Sequence, residues 1–323
     1  MKKKKTIIVV GYARQTQTAH QIQCFLDLGV EVINIDPHGI DGCYGSLCWQ
    51  GNQVSWKGHD ISPDKIDAVL VCAHAPDYPQ QQVFEQNAEQ SLNWAEWFQN
   101  FGLQRDRSDT LLGLLLAYER AGVKLFNPPS GSLTSRRKPY QISVLQSMQC
   151  QMPATLVSND PETATAFIQA NGDCIVKPAA GGSLTLSANE LLTTGRLDNL
   201  SQAPAIIQQR IYGDDLRVIV VGDKVVSAVA IDVPENTIDF RGDSQYQTGR
   251  VSYRAVELPT QVEQQCINAV SALGLKYSGI DIKHTEDDQY YFLECNSSPI
   301  YLDVENKMQH KITEHLCRAL MLE

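Results

Sequence analysis

The chain lacks the short motifs that mark many phosphate sites and many nucleophilic enzymes. There is no Walker A sequence, no GxGxxG run after a strand, and no convincing Ser-His-Asp or Cys-His set. Nine cysteines are scattered among apolar neighbours, and Cys43 and Cys48 have no matching second pair. These absences argue against a P-loop, a Rossmann phosphate loop, a disulfide framework and a zinc finger, and they leave any catalysis without a protein nucleophile.

An excess of basic charge is missing as well, and so is a long apolar run at the start. Against 27 Lys and Arg residues stand 37 Asp and Glu residues, which gives a net charge of -10. The basic residues 2–5 precede only the apolar run Thr6–Val10, which is too short for a signal-peptide core or a membrane span. We therefore expect a cytoplasmic protein that binds neither nucleic acid nor a membrane.

What the chain does contain is enough apolar sequence for two or three compact units, with 43% hydrophobic residues among 323. Strands alternate with helices over the first third, and the break at Pro128-Pro129-Ser130-Gly131 then marks the best domain boundary. The elements predicted in the first third are strands at 6–10, 30–35, 66–73 and 123–127 and helices at 16–28, 88–101 and 110–121.

The remainder of the chain begins in the same style and then changes to adjacent strands. Asp160-Pro161-Glu162 places an N-cap, a proline and an acid at the start of a helix, and Gly222-Asp223 predicts a two-residue hairpin turn. The predicted strands lie at 154–158, 174–178, 205–211, 216–221, 224–231, 277–285 and 290–296. The predicted helices lie at 139–148, 260–273 and 304–320, with a further one that begins at 160–162.

The last two strands form a hairpin that carries a pair of acids. If residues 286–289 form the turn, Thr285 pairs with Tyr290 and the same register sets Asp281 opposite Glu294. Because side chains alternate along a strand, Asn296 joins Glu294 on this face. The opposite, apolar face then holds Ile280, Ile282, Leu293 and Cys295.

Like charges directly opposite each other destabilise a sheet unless something neutralises them. Mg²⁺, which favours carboxylate and carbonyl oxygens, would neutralise this pair. The alternative is that Lys283, on the same face, pairs with one of the acids. The hairpin alone leaves both interpretations open.

A lysine at the end of another predicted strand precedes a run of small residues. Such a run exposes backbone N–H groups to an anion while Lys177 supplies a positive charge, and this combination suits a phosphate. An ordinary glycine turn with a surface lysine is the alternative. The run consists of Pro178, Ala179, Ala180, Gly181, Gly182 and Ser183.

A second charged segment follows, where the strand from residue 205 leads into Gly213-Asp214-Asp215-Leu216-Arg217-Val218. Asp215 suits a ribose hydroxyl, and Arg217 suits a phosphate or an acyl phosphate. The alternative, for each residue taken singly, is a role in a surface salt bridge. Arg241 lies in a polar segment that is either a mobile loop or a substrate lid.

Four features occur in a fixed order: Lys138 ahead of a helix, Lys177 with its small-residue loop, Gly-x-Asp-Leu-Arg-Val, and Asp281 with Glu294-x-Asn296 on a hairpin. In this order they resemble the ATP-grasp superfamily, and within it the RimK-like glutamate ligases and the related maturases that crosslink ribosomal peptides into microviridin-type products. The resemblance covers roughly residues 127–305. It implies an α/β fold, α+β in the C-terminal part, with an N-terminal βαβ pre-ATP-grasp domain at 1–127 and a two-lobed ATP-grasp domain at 128–323 whose lid spans about 154–204.

The resemblance also implies a role for each matching residue. Arg217 and Arg241 are the catalytic pair, which contacts phosphates or the acyl phosphate. The nucleotide is held by Lys138 and Lys177, by the loop with Gly181, Gly182 and Ser183, by Gln209 and Arg210 at adenine, and by Asp215 at the ribose. Two Mg²⁺ ions, with Mn²⁺ as the alternative, are carried by Asp281, Glu294 and Asn296.

In the implied reaction ATP activates a carboxylate as an acyl phosphate, which an amine then attacks with release of phosphate, on an amino-acid or peptide substrate. A maturase that forms ω-ester or ω-amide crosslinks and a non-catalytic ATP-binding regulatory protein are the alternatives. RimK-like ligases commonly follow the asparagine with Ser-Pro-Gly, whereas Asn296 is followed by Ser297-Ser298-Pro299-Ile300-Tyr301, which leaves the substrate open. Homo-oligomers are frequent among ATP-grasp ligases, but no apolar stripe in this sequence marks an interface.

Overall fold

The structure is a computed structural model that describes residues 4–37, 45–73, 94–180, 184–234, 237–239, 242, 244 and 248–321. The chain divides into two compact units, one made of Met1–Pro129 with Leu316–Glu323 and the other of Ser130–His315. Among the described residues, no helix combines the length and the apolar character needed to cross a bilayer.

The first unit is built on a parallel sheet. Its described strands are β1 Thr6–Val10, β2 Glu31–Ile35, β3 Leu47–Gln50, β4 Gln53–Trp56, β5 His59–Asp60, β6 Ala68–Val71 and β7 Lys124–Phe126, and its helices are α1 Thr16–Asp27 and α2 Trp94–Arg120. The parallel sheet has the order β2-β1-β6-β7, and β3-β4-β5 forms a separate antiparallel sheet. The β-branched residues of β1 and β6 pack with α2 in one core, where the buried Tyr118 hydroxyl donates to the Ile61 carbonyl over 2.6 Å.

Two separate helices at 88–101 and 110–121 were the wrong prediction for this unit. The chain forms one continuous helix over Trp94–Arg120, and residues 88–93 lie outside the described part. Gly102 does not interrupt it, although a glycine inside a helix costs about 1 kcal/mol relative to alanine. Burial of Leu111, Leu114 and Leu115 against the sheet offsets that cost.

The second unit contains two antiparallel sheets. Its described helices are α3 Pro129–Ser135, α4 Lys138–Ser147, α5 Pro161–Asn171, α6 Ala188–Thr193, α7 Thr260–Ala272, α8 Leu302–Met308 and α9 Ile312–Met321, the first and last of which extend beyond its bounds. Its strands are β8 Thr155–Ser158, β9 Cys174–Pro178, β10 Leu186–Ser187, β11 Ala205–Gln209, β12 Asp214–Val221, β13 Lys224–Asp232, β14 Ser252–Ala255, β15 Tyr277–His284 and β16 Tyr290–Asn296. The sheet orders are β10-β9-β11-β8 and β14-β13-β12-β15-β16.

Each sheet of the second unit has its own core. The smaller sheet buries Cys174 and Ile207 against Ile168 of α5, whose N-cap Asp160 accepts hydrogen bonds from the N–H groups of Glu162 and Thr163 as the sequence predicted. The larger sheet buries one face against α4 and α7, in a cluster that includes Leu145, Val218, Cys266, Ile280 and Phe292.

Two features of the second unit differ from the sequence expectation. Pro129 begins the short helix α3 instead of only breaking the chain, because proline is well suited to the first turn of a helix. The single last helix at 304–320 was also the wrong prediction: α8 ends at Met308, and the φ of its C-cap Gln309, 56°, is left-handed. The carboxylate of Glu305 then accepts a hydrogen bond from the Thr313 N–H at the start of α9.

A close backbone approach leads to a stability prediction. A Cβ atom at Gly131 would lie 2.2 Å from the Gly274 carbonyl oxygen, whereas a Cβ at Gly102 would meet nothing within 4 Å. Gly131→Ala should therefore lower the free energy of unfolding by about 1–3 kcal/mol. Gly102→Ala should raise it by about 0.5–1 kcal/mol. Urea unfolding of both variants measures the difference, and equal stabilities would contradict the close approach at Gly131.

Candidate functional site

A cavity of about 440 Å³ in the second unit brings the predicted site residues together. Those among its lining residues are Lys138, Lys177, Gln209, Arg210, Asp215, Arg217, Asp281, Glu294 and Asn296. The remaining predicted residues, Gly181, Gly182, Ser183 and Arg241, lie outside the described residues. The cavity is thus lined from both sheets of the unit and from the first turn of α4.

The acidic pair lies in the middle of the β15–β16 hairpin. Asp281 is directly opposite Glu294, and Asn296 lies two residues further along β16, opposite Gly279. The register nearer the turn differs from the prediction, because Tyr290 pairs with His284 and not with Thr285. A β-bulge between Asp281 and Ile282 absorbs this offset of one residue.

The bulge also changes which way one side chain points. Phe292 and Cys295 are buried in the core, while Leu293 lines the cavity together with Glu294 and Asn296. The prediction that Leu293 faces the apolar side is therefore wrong. An extra residue in one strand interrupts the strict alternation on which that prediction rested.

Each acid of the hairpin has a cation beside it. Arg217 is the cross-strand neighbour of Asp281, and its Nε lies 2.6 Å from the Asp281 Oδ1. On the other side, the Lys138 ammonium contacts the Glu294 carboxylate from the first turn of α4. The four side chains form a row of charges, positive, negative, negative, positive, across β12, β15, β16 and α4.

Burial and these cations act oppositely on the two acids. Burial raises the pKa of the Asp281 carboxyl to about 6, although Arg217 acts to lower it. Burial also acts on Glu294, but Lys138, followed by Lys177 and Arg217, outweighs it and lowers the pKa of that carboxyl below its usual value. The two opposed carboxyls therefore differ in the direction of their pKa shifts, and each lies beside its own cation.

A second ion pair lies one alternation further along the same strands. Asp215 of β12 faces Lys283 of β15, with 2.9 Å between Oδ2 and Nζ. The alternative interpretation of the hairpin sequence was that Lys283 pairs with Asp281 or Glu294. In the structure Lys283 pairs with Asp215 instead. Burial raises the pKa of the Asp215 carboxyl, Lys283 counteracts this, and Asp214 and Asp239 add to the rise.

Lys177 is oriented by a residue that the sequence analysis did not select. Its Nζ donates to the Gln208 Oε1 over 3.0 Å, and the Gln208 Nε2 donates to the Thr155 Oγ1 over 2.8 Å. Gln208 is 1% exposed, so its amide is held in one orientation by these two bonds. A polar side chain at a buried strand position beside Ile206 and Ile207 was the signal that could have identified it.

The outer end of the cavity carries an aromatic and charged cluster. The Arg210 guanidinium lies 4.6 Å from the Tyr212 ring centroid, and Asp173 contacts both Arg210 and the Tyr212 hydroxyl. The N–H groups of Gln209 and Arg210 donate to the carbonyls of Ala154 and Asp173. Both backbone donors are therefore used inside the smaller sheet.

Two loops at the cavity are braced by specific hydrogen bonds. The Thr185 N–H, just after the small-residue loop, donates to the Asp239 carboxylate over 3.0 Å. After β16, the Asn296 Oδ1 accepts from the Ser298 N–H, and the Asn296 carbonyl accepts from the Ser278 hydroxyl, each over 2.9 Å. The amide oxygen of Asn296 is thereby oriented, as a ligand residue has to be.

The donor atoms fit a hard divalent cation. Within the described residues, no group of three or more His, Cys, Asp and Glu side chains could hold a metal. The candidate metal site contains two such residues, Asp281 and Glu294, and the amide of Asn296 adds a third oxygen donor. Two carboxylates and an amide oxygen supply oxygen donors only, which is the set that Mg²⁺ prefers. The residues present therefore fit Mg²⁺.

Comparisons with known proteins give one consistent result. Residues 135–320 match the family model described as a RimK-like ATP-grasp domain. The tetrahydromethanopterin:alpha-L-glutamate ligase of Methanocaldococcus jannaschii is 26% identical over an alignment of 220 residues that covers 64% of this chain and 73% of that protein.

Similar solved structures extend over almost the whole chain. The ATP-grasp ligase PsnB, complexed with a phosphomimetic variant of a minimal precursor, Mg and ADP, matches with a TM-score of 0.80 and 31% identity, over 98% of this chain and 97% of that one. In its complex with the precursor peptide PsnA2 and AMPPNP, the TM-score is 0.78 and the identity 28%, over 98% and 97% of the two chains.

The two ion pairs of β12 lead to a prediction about charge burial. Lys283 and Asp215 are 17% and 15% exposed, whereas Arg254 and the neighbouring Asp214 are 60% and 51% exposed at 2.6 Å. Lys283→Met leaves a mostly buried carboxylate without its cation, so the free energy of unfolding should fall by about 1–3 kcal/mol. Arg254→Met should change it by less than about 0.5 kcal/mol. Urea unfolding measures both, and equal losses would show that burial does not distinguish the pairs.

Proposed function

This chain belongs to the RimK-like ATP-grasp family and is an ATP-dependent ligase, and from that premise we propose that it joins a carboxylate to an amine through an acyl phosphate, on a peptide substrate. The family and the fold class that the order of the motifs predicted are both confirmed by these comparisons. The finer statements, on the intermediate, the substrate and the role of each residue, are our proposal.

The observation that carries the proposal is the row of charges across the cavity. In an ordinary structural salt bridge, one acid is paired with one cation. Here two opposed acids and an amide oxygen lie near three cations, Arg217, Lys138 and Lys177. Asp281, Glu294 and Asn296 would hold Mg²⁺, two ions in our proposal. When bound, Mg²⁺ neutralises phosphate oxygens during phosphoryl transfer.

The cations would also bind the phosphates of ATP. Arg217 and Lys138 would then contact phosphate oxygens instead of the carboxylates, while Lys177, held by Gln208, donates to the phosphates from the smaller sheet. A substrate carboxylate oxygen then attacks the γ-phosphorus and ADP leaves. The amine nitrogen attacks the carbonyl carbon of the acyl phosphate, inorganic phosphate leaves, and the nitrogen loses a proton.

The nucleoside end of ATP is assigned to the outer part of the cavity. The N–H groups of Gln209 and Arg210 are used in the sheet, so backbone donors for adenine have to come from the following residues, Ile211 and Tyr212. Asp215 is assigned to the ribose, where a hydroxyl would share its carboxylate with Lys283. Arg241 and the loop of Gly181, Gly182 and Ser183 keep their predicted phosphate roles.

A peptide is the proposed substrate because a ligase determined with a precursor peptide is similar to this chain in both structure and sequence. That ligase, PsnB, matches with 28% identity over 98% of the chain, including the first unit. A free amino acid as the acceptor is the alternative, which the match with the glutamate ligase supports. Release of ADP and phosphate, followed by mass spectrometry of the product, distinguishes the two.

The experiment compares purified protein with Mg²⁺ and ATP in the presence of pooled peptides, pooled amino acids or neither. Release that depends on a peptide, with a product lighter than the peptide by one water for each bond formed within it, supports the proposal. Release that depends on amino acids would favour the alternative. ATP binding without release in any pool would contradict ligation of either class.

Removal of one metal-binding carboxylate gives a direct test of the site. Glu294→Gln should reduce substrate-dependent ADP release at least about 100-fold, because it removes a charged oxygen donor and the partner of Lys138. His284→Gln is the control on the same hairpin, since His284 contacts Asp288 and Tyr290 and is not among the cavity residues. Unchanged turnover in Glu294→Gln would overturn the metal assignment.

The bond between Gln208 and Lys177 predicts a separate effect on nucleotide binding. Gln208→Leu leaves the lysine without its orienting acceptor, so KM for ATP should rise about 10-fold while the fold is retained. Val157→Gln on the exposed face of β8 serves as the control. A KM for ATP within twofold of the unsubstituted protein would show that Gln208 does not orient Lys177 for the nucleotide.

A further inference from the structure

Gln141 makes three hydrogen bonds that hold the hairpin strand β16 against helix α4. Its Nε2 donates to the carbonyls of Ser135 and Cys295, each over 2.8 Å, and its Oε1 accepts from the Cys295 N–H over 2.9 Å. Gln141 is 4% exposed, so the amide is inaccessible to bulk water and its orientation is fixed by these partners.

The amide takes the place of a neighbouring strand. β16 is the edge of the five-stranded sheet, and the outer N–H and carbonyl of Cys295 would otherwise lie unpaired. Gln141 satisfies both with one side chain, as a strand residue would. Further along the same edge, the Phe292 N–H donates to the Gln151 carbonyl over 2.8 Å.

The bonded residue lies between two proposed metal ligands. Cys295 separates Glu294 from Asn296, and its side chain is buried in the core of the larger sheet. Core packing fixes how deep β16 lies, but hydrogen bonds fix its position within the plane of the sheet. The pairing with β15 on one side and the bonds to Gln141 on the other therefore fix where the backbone that carries Glu294 and Asn296 lies along that plane.

The same helix turn carries the lysine that contacts Glu294. Lys138 precedes Gln141 by three residues, so both side chains project from one face of α4. The bond to the Ser135 carbonyl also fixes the short connection between α3 and α4. One amide thus links the ligand strand, the helix and the turn from which Lys138 projects.

We propose that Gln141 is a positioning residue that sets the alignment of Glu294 and Asn296 with Lys138, and through it the affinity of the metal site. This inference rests on the function proposed above, in which Glu294 and Asn296 hold Mg²⁺. Gln141 is among the residues that line the cavity, but both polar atoms of its amide are bonded to backbone groups of the protein. Its effect passes through the backbone of Cys295 and the first turn of α4.

The test titrates Mn²⁺ into the full-length protein at saturating ADP and follows free Mn²⁺ by electron paramagnetic resonance. Gln141→Met keeps the length of the side chain and removes its hydrogen-bonding groups. It should raise the Kd for Mn²⁺ about 10- to 100-fold, the range typical of residues that support metal ligands. In turnover, kcat should fall by a similar factor while KM for the peptide stays within about twofold.

The matched control is Gln21→Met, which alters another buried glutamine in the first unit, outside the cavity residues. It should leave the Kd for Mn²⁺ within about twofold even where its Tm falls as much as that of Gln141→Met. If Gln141→Met does not fold, Gln141→Glu takes its place, because it keeps the acceptor for the Cys295 N–H and loses the donors.

The outcomes separate this inference from the function on which it rests. Weakened Mn²⁺ binding in the Gln141 variant but not in the control supports the positioning role. A Kd within twofold of the unsubstituted protein overturns it while leaving the proposed function intact. Failure of the unsubstituted protein to bind Mn²⁺ in the presence of ADP would overturn the metal assignment and, with it, this inference.

Discussion

The constraint on which the site depends is that two carboxylates face each other in a hairpin and are largely removed from water. Asp281 and Glu294 are direct cross-strand partners, and like charges at such positions repel. A pair of this kind persists only where positive charge compensates it. The structure supplies that charge from both sides, with Arg217 from β12 and Lys138 from α4.

Sheet register explains why the compensation is so specific. β15 lies between β12 and β16, so one residue of β15 faces a cation on one neighbour and an acid on the other. The next pair along β12 and β15, Asp215 with Lys283, repeats the pairing with the signs exchanged. Charges held this way are oriented before any ligand binds, so these side chains need little reorganisation when charge develops at the site.

The smaller sheet contributes to the site by the same alternation. On β9 and β11, Val176 and Ile207 face the apolar core, whereas Lys177 and Gln208 face the cavity. One strand therefore serves both stability and the site, because successive side chains point to opposite faces. A polar residue on the cavity face needs a partner, and Lys177, Gln208 and Thr155 provide partners for one another.

The sequence by itself determined the features that depend on neighbours along the chain. The cap at Asp160 and the turn at Gly222-Asp223 follow from capping preferences and turn chemistry. The placement of Asp281 opposite Glu294 was also predicted, but the structure reaches it through a different pairing at the turn and a compensating bulge. The family and the cluster of lysines and acids followed from the order of the motifs. These signals survive in sequence because they involve residues within one element or one hairpin.

Tertiary structure alone decided the rest. The bulge that turns Leu293 into the cavity shifts the register inside a strand whose sequence shows no break, and it compensates for a turn that begins one pair earlier than expected. Lys283 meets Asp215, and Gln208 meets Lys177, because strands distant in sequence lie side by side. Such partners depend on register between separate elements, and a side-chain period within one element carries no information about it.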